Sequence, residues 1–183
     1  MPTRITKKVN LDKIKKIIKQ NHFTTKVGWF SDKTYEDGVH IAQVAAVQEY
    51  GSPAQHIPPR PFMRPVTKNI KHLLRFIPYY IKTGKSKDIP NTIGVILQSK
   101  VQESISSVYR PKLSPVTIAA RAYKDINGQF SINDTILRNI SSAIREGKTG
   151  KGELGDQTYP NTKPLRDTGL LLASVSYMVS YNG

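Results

Sequence analysis

Residues 45–66 read AAVQEYGSPAQHIPPRPFMRPV, and this stretch decides how the chain is organised. An apolar segment with helical spacing ends at Gly51, and five prolines then fall within 13 residues. Glycine adopts the left-handed conformation without penalty, so Gly51 is predicted to cap the helix. Proline fixes its own φ and pushes the preceding residue towards extended conformations. Residues 52–65 are therefore predicted to form a semi-rigid extended arm near polyproline II.

Two apolar side chains lie in this arm between two arginines. A stiff segment loses little conformational entropy on binding, and arginine binds carboxylates bidentately at interfaces. We therefore expect a contact with a neighbouring subunit or partner protein through Arg60, Pro61, Phe62, Met63 and Arg64. On this interpretation, Phe62→Ala leaves the monomer folded but impairs assembly. The alternatives are an internal strap packed on the chain's own core and a PxxP ligand for an aromatic-lined recognition domain.

Hydrophobic periodicity on both sides of the arm predicts an α+β fold. The segment TTKVGWFS near the N-terminus and the alternating SVSYMVSY near the C-terminus are typical of strands. Helical spacing runs through the segments VHIAQVAAVQEY, VTKNIKHLLRFI, DIPNTIGVILQSKVQESISSVY, KLSPVTIAARAYK and INDTILRNISSAIREGK. We expect one domain over residues 1–183, with a small antiparallel or mixed sheet built from N- and C-terminal strands and packed against several helices.

Local signals refine the ends of these helices. Ser114 is a good N-cap and Pro115 suits the first helical position. Pro78 is expected to end or kink the helix that follows the arm. Near the C-terminus, Asp167 or Thr168 is expected to cap a last short helix. The segment LDKIKKIIKQ, residues 11–20, is predicted to form a short amphipathic helix with lysines opposite its apolar face.

Composition limits the class of protein. The chain has no cysteine, so disulfides and thiolate metal sites are excluded. No apolar run approaches the length of a transmembrane helix, and the basic N-terminus lacks the apolar core of a secretory signal. The 28 Lys and Arg residues against 13 acidic ones give a formal net charge of +15. This excess indicates either an anionic partner, such as nucleic acid, a membrane surface or an acidic protein, or only a well-solvated surface.

Residues typical of catalysis are present but not arranged for it. His22, His40, His56 and His72 are scattered, without the spacing of a metal site. The sequence GKTGKG at residues 147–152 lacks the spacing of a phosphate-binding loop, and no serine has a G-x-S-x-G context. We therefore expect neither enzymatic activity nor a bound cofactor or metal.

Three stretches together resemble a family of tailed-phage proteins. The first is a helix followed by Glu-Tyr-Gly and Ile-Pro-x-Arg-Pro-Phe-x-Arg-Pro, here Glu49, Tyr50, Gly51, Ile57, Pro58, Arg60, Pro61, Phe62, Arg64 and Pro65. The second is LSPVTIAARA, residues 113–122, and the third is KPLRDTGLLLASVSYMV, residues 163–179. In this order they resemble the virion-morphogenesis, tail-completion and neck proteins, similar to the Mu-type tail-completion and HK97-type neck families.

The resemblance covers residues 27–66 and 113–179, and implies a structural role in the virion. Residues 126–162 are expected to be an added helix and flexible loop without a counterpart in the family. The implied protein assembles in the host cytoplasm into a ring, expected to be hexameric, at the head–tail junction. Its implied partners are a connector or head-completion protein and a tail terminator or tube protein. Phage DNA in the lumen is a further expected contact, as the alternative to acidic protein rings. A basic nucleic-acid-binding module is the alternative function.

Overall fold

A computed structural model describes residues 23–30, 32–68, 70–128, 132–158, 162–165 and 167–181. The amphipathic helix predicted for residues 11–20 lies outside these residues. Two strands, β1 (Phe23–Gly28) and β2 (Ser176–Tyr181), pair antiparallel in a two-stranded sheet. Phe23 pairs with Tyr181 at one end of the ladder and Gly28 with Ser176 at the other. The α+β class and a sheet built from both ends of the chain are therefore confirmed.

Helices occupy most of the chain between the two strands. Their bounds are α1 (Ile41–Tyr50), α2 (Met63–Lys68), α3 (Ile70–Leu73), α4 (Ile77–Lys82), α5 (Ile89–Ser107), α6 (Pro115–Asn127), α7 (Asp134–Arg145) and α8 (Leu170–Ala173). Proline lies in the first turn of α4, α5 and α6, where its missing N–H breaks no helical hydrogen bond. The Ser114 side chain accepts from the backbone N–H of Thr117 and caps α6. A 3₁₀ turn, Leu74–Phe76, separates α3 from the proline-led α4.

The long helix α5 packs against both strands and carries the centre of the core. Its Val101 and Ile105 are fully buried, in one apolar cluster with residues of α1, α2 and α8. Gln98 and Gln102 donate to the carbonyls of Val175 and Leu172 at 2.9 and 3.2 Å. These bonds satisfy backbone acceptors at the point where the chain passes from α8 into β2, so they fix the angle at which β2 enters the sheet.

Helices α6 and α7 form a second, smaller packing unit. Ala119, Ala122, Ile140 and Ala143 are buried between them. The small alanine side chains let the two helix backbones approach closely, while the polar faces stay in solvent. The α6 helix runs to Asn127, so the predicted added segment 126–162 begins inside it rather than after it.

The arm predicted over residues 52–65 is extended only in its middle. A 3₁₀ turn, Pro53–Gln55, and a bridge between Ser52 and Ile57 fold its beginning, and helix α2 already starts at Met63. The prediction of an extended arm to residue 65 is wrong because proline is tolerated in the first turn of a helix, as Pro65 is here. We call residues 51–62 the proline-rich segment and residues 63–82, which contain α2 to α4, the helical ribbon.

Candidate interaction site around the proline-rich segment

Glu49, at the end of α1, organises the chain around the proline-rich segment. Its side chain is buried, and its Oε2 accepts from the backbone N–H groups of Phe62 and Met63 at 2.6 and 2.9 Å. Its Oε1 accepts from the backbone N–H and the Nε of Arg64 at 3.2 and 3.0 Å. Helix α2 therefore begins on a carboxylate supplied from another helix, which satisfies N–H groups that a helix start leaves unpaired.

The surroundings of Glu49 favour its charged form. Burial raises the pKa of this carboxyl, but the backbone donors of Met63 and Phe62 and the Arg64 guanidinium lower it by more. The net pKa of Glu49 is below its ordinary value. The site therefore holds a carboxylate whose oxygens are already occupied by donors, so Glu49 is a structural anchor and a poor general base.

Phe62 is a core residue of its own chain. Its side chain is 0% exposed, and its ring packs edge-to-face on Trp29 with centroids 5.7 Å apart. The Trp29 Nε1 in turn donates to the Leu171 carbonyl at 3.0 Å. The prediction that Phe62 contacts a neighbouring subunit is wrong, because its side chain is already fully buried in the apolar cluster of its own chain. The alternative of an internal strap is correct for this residue.

Arg60 is also turned inward. It is 6% exposed, its backbone N–H donates to the Gln48 carbonyl, and its guanidinium donates to Gln48 Oε1 and the Pro111 carbonyl, both at 3.1 Å. Burial lowers the pKa of Arg60, and the nearby charge of Arg121 lowers it further. The prediction of an intermolecular Arg60 contact is wrong, because the residue is almost fully buried and its Nε and Nη1 donate to oxygens of the same chain.

Arg121 joins the second and third stretches of the sequence resemblance. It is buried, and it donates to the carbonyls of Lys163 and Pro164 at 2.8 and 3.1 Å. Its Nε lies 3.3 Å from the carboxylate of Asp167, which Lys124 also contacts at 3.1 Å. Asp167 therefore pairs with two cations of α6. The prediction that Asp167 caps α8 is wrong.

The two other predicted caps lie at the ends of helices. Thr168 Oγ1 accepts from the backbone N–H of Leu170, the first residue of α8, while Gly169 occupies the N-cap position itself. Gly51 ends α1 with φ 79°, and its N–H donates to the Val47 carbonyl. A side chain here would lie 2.9 Å from the Ile57 carbonyl oxygen, so Gly51 both ends the helix and makes room for the returning proline-rich segment.

An exposed ridge remains on the outer side of this organised region. Tyr50 is 72% exposed, and the Arg64 guanidinium lies over its ring, 5.4 Å from the centroid. Arg64 is held there because its Nε and Nη2 donate to the carboxylate and the backbone carbonyl of Glu49. Pro61 is exposed and Met63 is half-buried. Interface roles for Pro61, Met63 and Arg64 stay predictions. The sequence analysis did not include the exposed Tyr50 among the expected interface residues.

A groove of about 1030 Å³ opens beside α1. One wall is the apolar side of α1 and the proline-rich segment, with Val44, Val47 and Ile57. The groove is also lined by residues 164–165, 167–171 and 173, and the ion pairs of Asp167 lie among its lining residues. Such an open, mostly apolar groove can accept part of another polypeptide more readily than it can enclose a small substrate.

The ionisable groups of the groove are poorly suited to proton transfer. Burial raises the pKa of Tyr35, and the charges of Asp167 and Asp37 raise it further, so its hydroxyl stays protonated. Asp167 already contacts the side chains of Arg121 and Lys124, at 3.3 and 3.1 Å. Among the described residues that line the groove there is no histidine.

The glycine-rich loop before the third stretch contains one buried carboxylate. Asp156 accepts from the Thr158 hydroxyl and from the backbone N–H groups of Gly152 and Thr158. These bonds lower the pKa of Asp156, with the Thr158 hydroxyl contributing most. Gly155 passes against the Lys148 carbonyl, where no side chain fits. Over residues 147–158 the loop is therefore folded on itself by turns.

Neither a metal site nor a membrane-crossing helix is found among the described residues. Within the described part of the chain, no group of three or more His, Asp or Glu side chains is placed to hold a metal ion. No described helix combines the length and apolar character needed to cross a bilayer. Comparison with protein-family models, curated proteins and solved structures found no match to this chain.

The residues that sequence reasoning missed here are those that act over long distances. The sequence analysis gave no structural role to Glu49 or Arg121, yet both are buried and hold segments distant in the chain. A local signal was present for Glu49, which lies two residues before Gly51, where the chain turns back.

Proposed function

We propose that this protein is a structural component of a tailed-phage virion, a tail-completion or neck protein that forms a ring at the head–tail junction. On this proposal it acts by assembly and not by catalysis. Its partners are further copies of itself, a connector or head-completion protein on one side and a tail terminator or tube protein on the other.

One observation carries the proposal: the three stretches that resemble the phage family meet in space. Arg60 of the first stretch donates to Pro111, two residues before the second stretch begins. Arg121 of the second donates to Lys163 and Pro164 of the third. Two buried arginines thus link the three stretches in one packed unit. Their meeting supports a shared structural unit as the origin of the sequence resemblance.

The exposed ridge replaces Phe62 as the proposed contact between copies. Tyrosine and arginine are the residues most enriched at the energetic centres of interfaces. Here Glu49 holds Arg64 over the exposed ring of Tyr50, so little side-chain entropy is left to lose on binding. The Tyr50–Arg64 pair and the adjoining Pro61 therefore form a pre-ordered surface for a neighbouring copy.

The proposal is tested by oligomeric state. The full chain is expected to sediment as a closed ring, hexameric by the resemblance, and Tyr50→Ala is expected to shift it towards smaller species without lowering its melting temperature. Tyr109→Ala is the matched control, because Tyr109 is 69% exposed and also lies under an arginine, Arg110. A control variant that dissociates as readily as Tyr50→Ala would contradict the role of the ridge.

A second experiment tests the location in the virion. An antibody to this protein is expected to label purified particles at the head–tail junction, and particles made without the protein are expected to accumulate as separate heads and tails. Absence of the protein from purified virions, together with normal joining of heads and tails without it, would overturn the proposed function.

A further inference from the structure

The helical ribbon has one apolar face and one cationic face. Its apolar side chains face the core: Val66 is buried in the main cluster, and Ile70 packs against it. Farther along, Ile77 and Ile81 are half-buried. The exposed positions of the ribbon include a second series, Lys68, Lys71, Arg75, Tyr79 and Lys82. We call this series the cationic stripe.

The spacing of the cationic stripe is that of one helical face. Successive members are separated by three, four, four and three residues, the separation at which side chains share one face of an α-helix. The 3₁₀ turn Leu74–Phe76, which contains Arg75, interrupts the α-helical geometry between Lys71 and Tyr79. At about 1.5 Å per residue the stripe is roughly 20 Å long. Lys85 and Lys87, both exposed, continue it beyond the end of α4.

This part of the chain carries a strong excess of positive charge. Between residues 63 and 88 there are seven Lys and Arg residues and one acidic residue, Asp88. Arg64 is paired with Glu49, but no ion pair joins the four cations of the stripe to a carboxylate in the part of the chain that the structure describes. Four like charges on one face repel one another, and an external polyanion relieves this cost.

We propose that the cationic stripe binds the phosphate backbone of duplex DNA, without sequence specificity. Lysine suits this partner, because its ammonium group is a compact point charge that binds phosphate from many directions. Tyr79 is 60% exposed, with its ring edge-to-face on Tyr80, and tyrosine hydroxyls also donate to phosphate oxygens. Both strands together present one phosphate charge per about 1.7 Å of duplex, so a stripe of this length faces several phosphates.

Other polyanions fit the stripe less well. A membrane surface binds amphipathic helices through an exposed apolar face, but Val66 and Ile70 of the ribbon pack into the core. Protein interfaces are depleted in lysine, whereas three of the four cations here are lysines. Single-stranded nucleic acid is bound through several stacking aromatics, and the stripe carries one. The proposal does not rest on ring assembly, since all the residues of the cationic stripe belong to one copy of the chain.

The test compares two variants that lose the same charge. The stripe variant is Lys68→Gln, Lys71→Gln, Arg75→Gln and Lys82→Gln. The control variant is Lys112→Gln, Arg138→Gln, Arg145→Gln and Lys151→Gln, four cations that are equally exposed but lie on other surfaces. The full chain and both variants are titrated against a labelled DNA duplex of mixed sequence at several salt concentrations.

The stripe variant is expected to bind at least about tenfold more weakly at moderate salt than the unmodified chain. Its slope of log affinity against log salt is expected to be smaller by about 3 to 4, because each lost phosphate contact removes about 0.9. The control variant is expected to keep most of the affinity and most of the slope. Equal losses in the two variants would overturn the proposal, since they would show binding by overall charge.

Two further probes exclude the other partners. Vesicles rich in anionic lipid and polyglutamate are titrated in place of DNA, and each is expected to bind more weakly than the duplex at the same salt. Stronger binding of either probe would overturn the assignment to DNA. A chain that assembles into rings but binds no duplex would refute this inference and leave the proposed function intact.

Discussion

The proline-rich segment and the helical ribbon follow one another in the chain but place their distinctive residues in opposite surroundings. The proline-rich segment has the more unusual sequence, and its Arg60 and Phe62 are buried against their own chain. The ribbon has an ordinary amphipathic sequence, and its lysines remain exposed and unpaired with described carboxylates. The unusual sequence of the proline-rich segment thus serves internal packing. The ordinary amphipathic sequence of the ribbon keeps its lysines on the exposed surface.

The largest expected difference between the two segments is the loss of stability when an aromatic residue is replaced by alanine. Phe62→Ala removes a fully buried ring from the contact with Trp29, and it is expected to lower the free energy of unfolding by about 3–5 kcal/mol. Tyr79→Ala in the ribbon is expected to lower it by about 1 kcal/mol or less. Chemical denaturation of both variants measures the two values. Similar losses would contradict the contrast, and a stable but assembly-defective Phe62→Ala variant would restore the interface role.

The second expected effect is at Glu49, which joins the two segments. Glu49→Gln removes the negative charge of a carboxylate that accepts hydrogen bonds from the backbone N–H groups of Phe62 and Met63 and from the Arg64 side chain. We expect a loss of about 3 kcal/mol, because hydrogen bonds to a buried charged group are among the costliest to remove. Lys71→Gln in the ribbon is the control and is expected to change the free energy of unfolding by about 0.5 kcal/mol or less.

The same carboxylate makes stability depend on pH in a defined direction. Since the pKa of Glu49 is lower in the folded protein than in the unfolded chain, its charge stabilises the fold at pH values above the unfolded pKa. That stabilisation is lost as the pH falls through the folded pKa. The unmodified chain should therefore lose stability on acidification more steeply than Glu49→Gln. Parallel curves for the two proteins would show that Glu49 contributes nothing to the dependence.

The smallest expected effect comes from replacing glycines. It distinguishes the cost of a positive φ from the cost of steric crowding by the added Cβ. Gly51 and Gly84, one at the start of the proline-rich segment and one just after the ribbon, have φ of 79° and 77°. An added Cβ meets the Ile57 carbonyl oxygen at Gly51, but nothing within 4 Å at Gly84. Gly84→Ala is expected to cost about 1 kcal/mol, for the positive φ alone, and Gly51→Ala about 2 kcal/mol or more. Equal melting temperatures would mean that the proline-rich segment moves away from Gly51 without cost.

Local features of this fold could be predicted from the sequence because nearby residues determine them. The strands, the Ser114 cap and the proline-led helix starts follow from periodicity and from the chemistry of single residues. The surface against which Phe62 packs could not be predicted. Proline stiffens the chain, but it does not determine which surface the chain contacts. Asp167 has the right type of side chain for a cap, but two cations of α6 lie close to it in the fold. The ion pair therefore takes precedence over the local interaction.

The pairing of β1 with β2 has a consequence for how the protein is made. Ser176 and Gly28, joined at the end of the ladder, are 148 residues apart in sequence. During synthesis the first strand leaves the ribosome long before its only described partner exists, and α5 emerges with one of the two strands it covers still missing. Closing so long a loop is entropically costly and slow, and the sheet can form only after β2 has been translated.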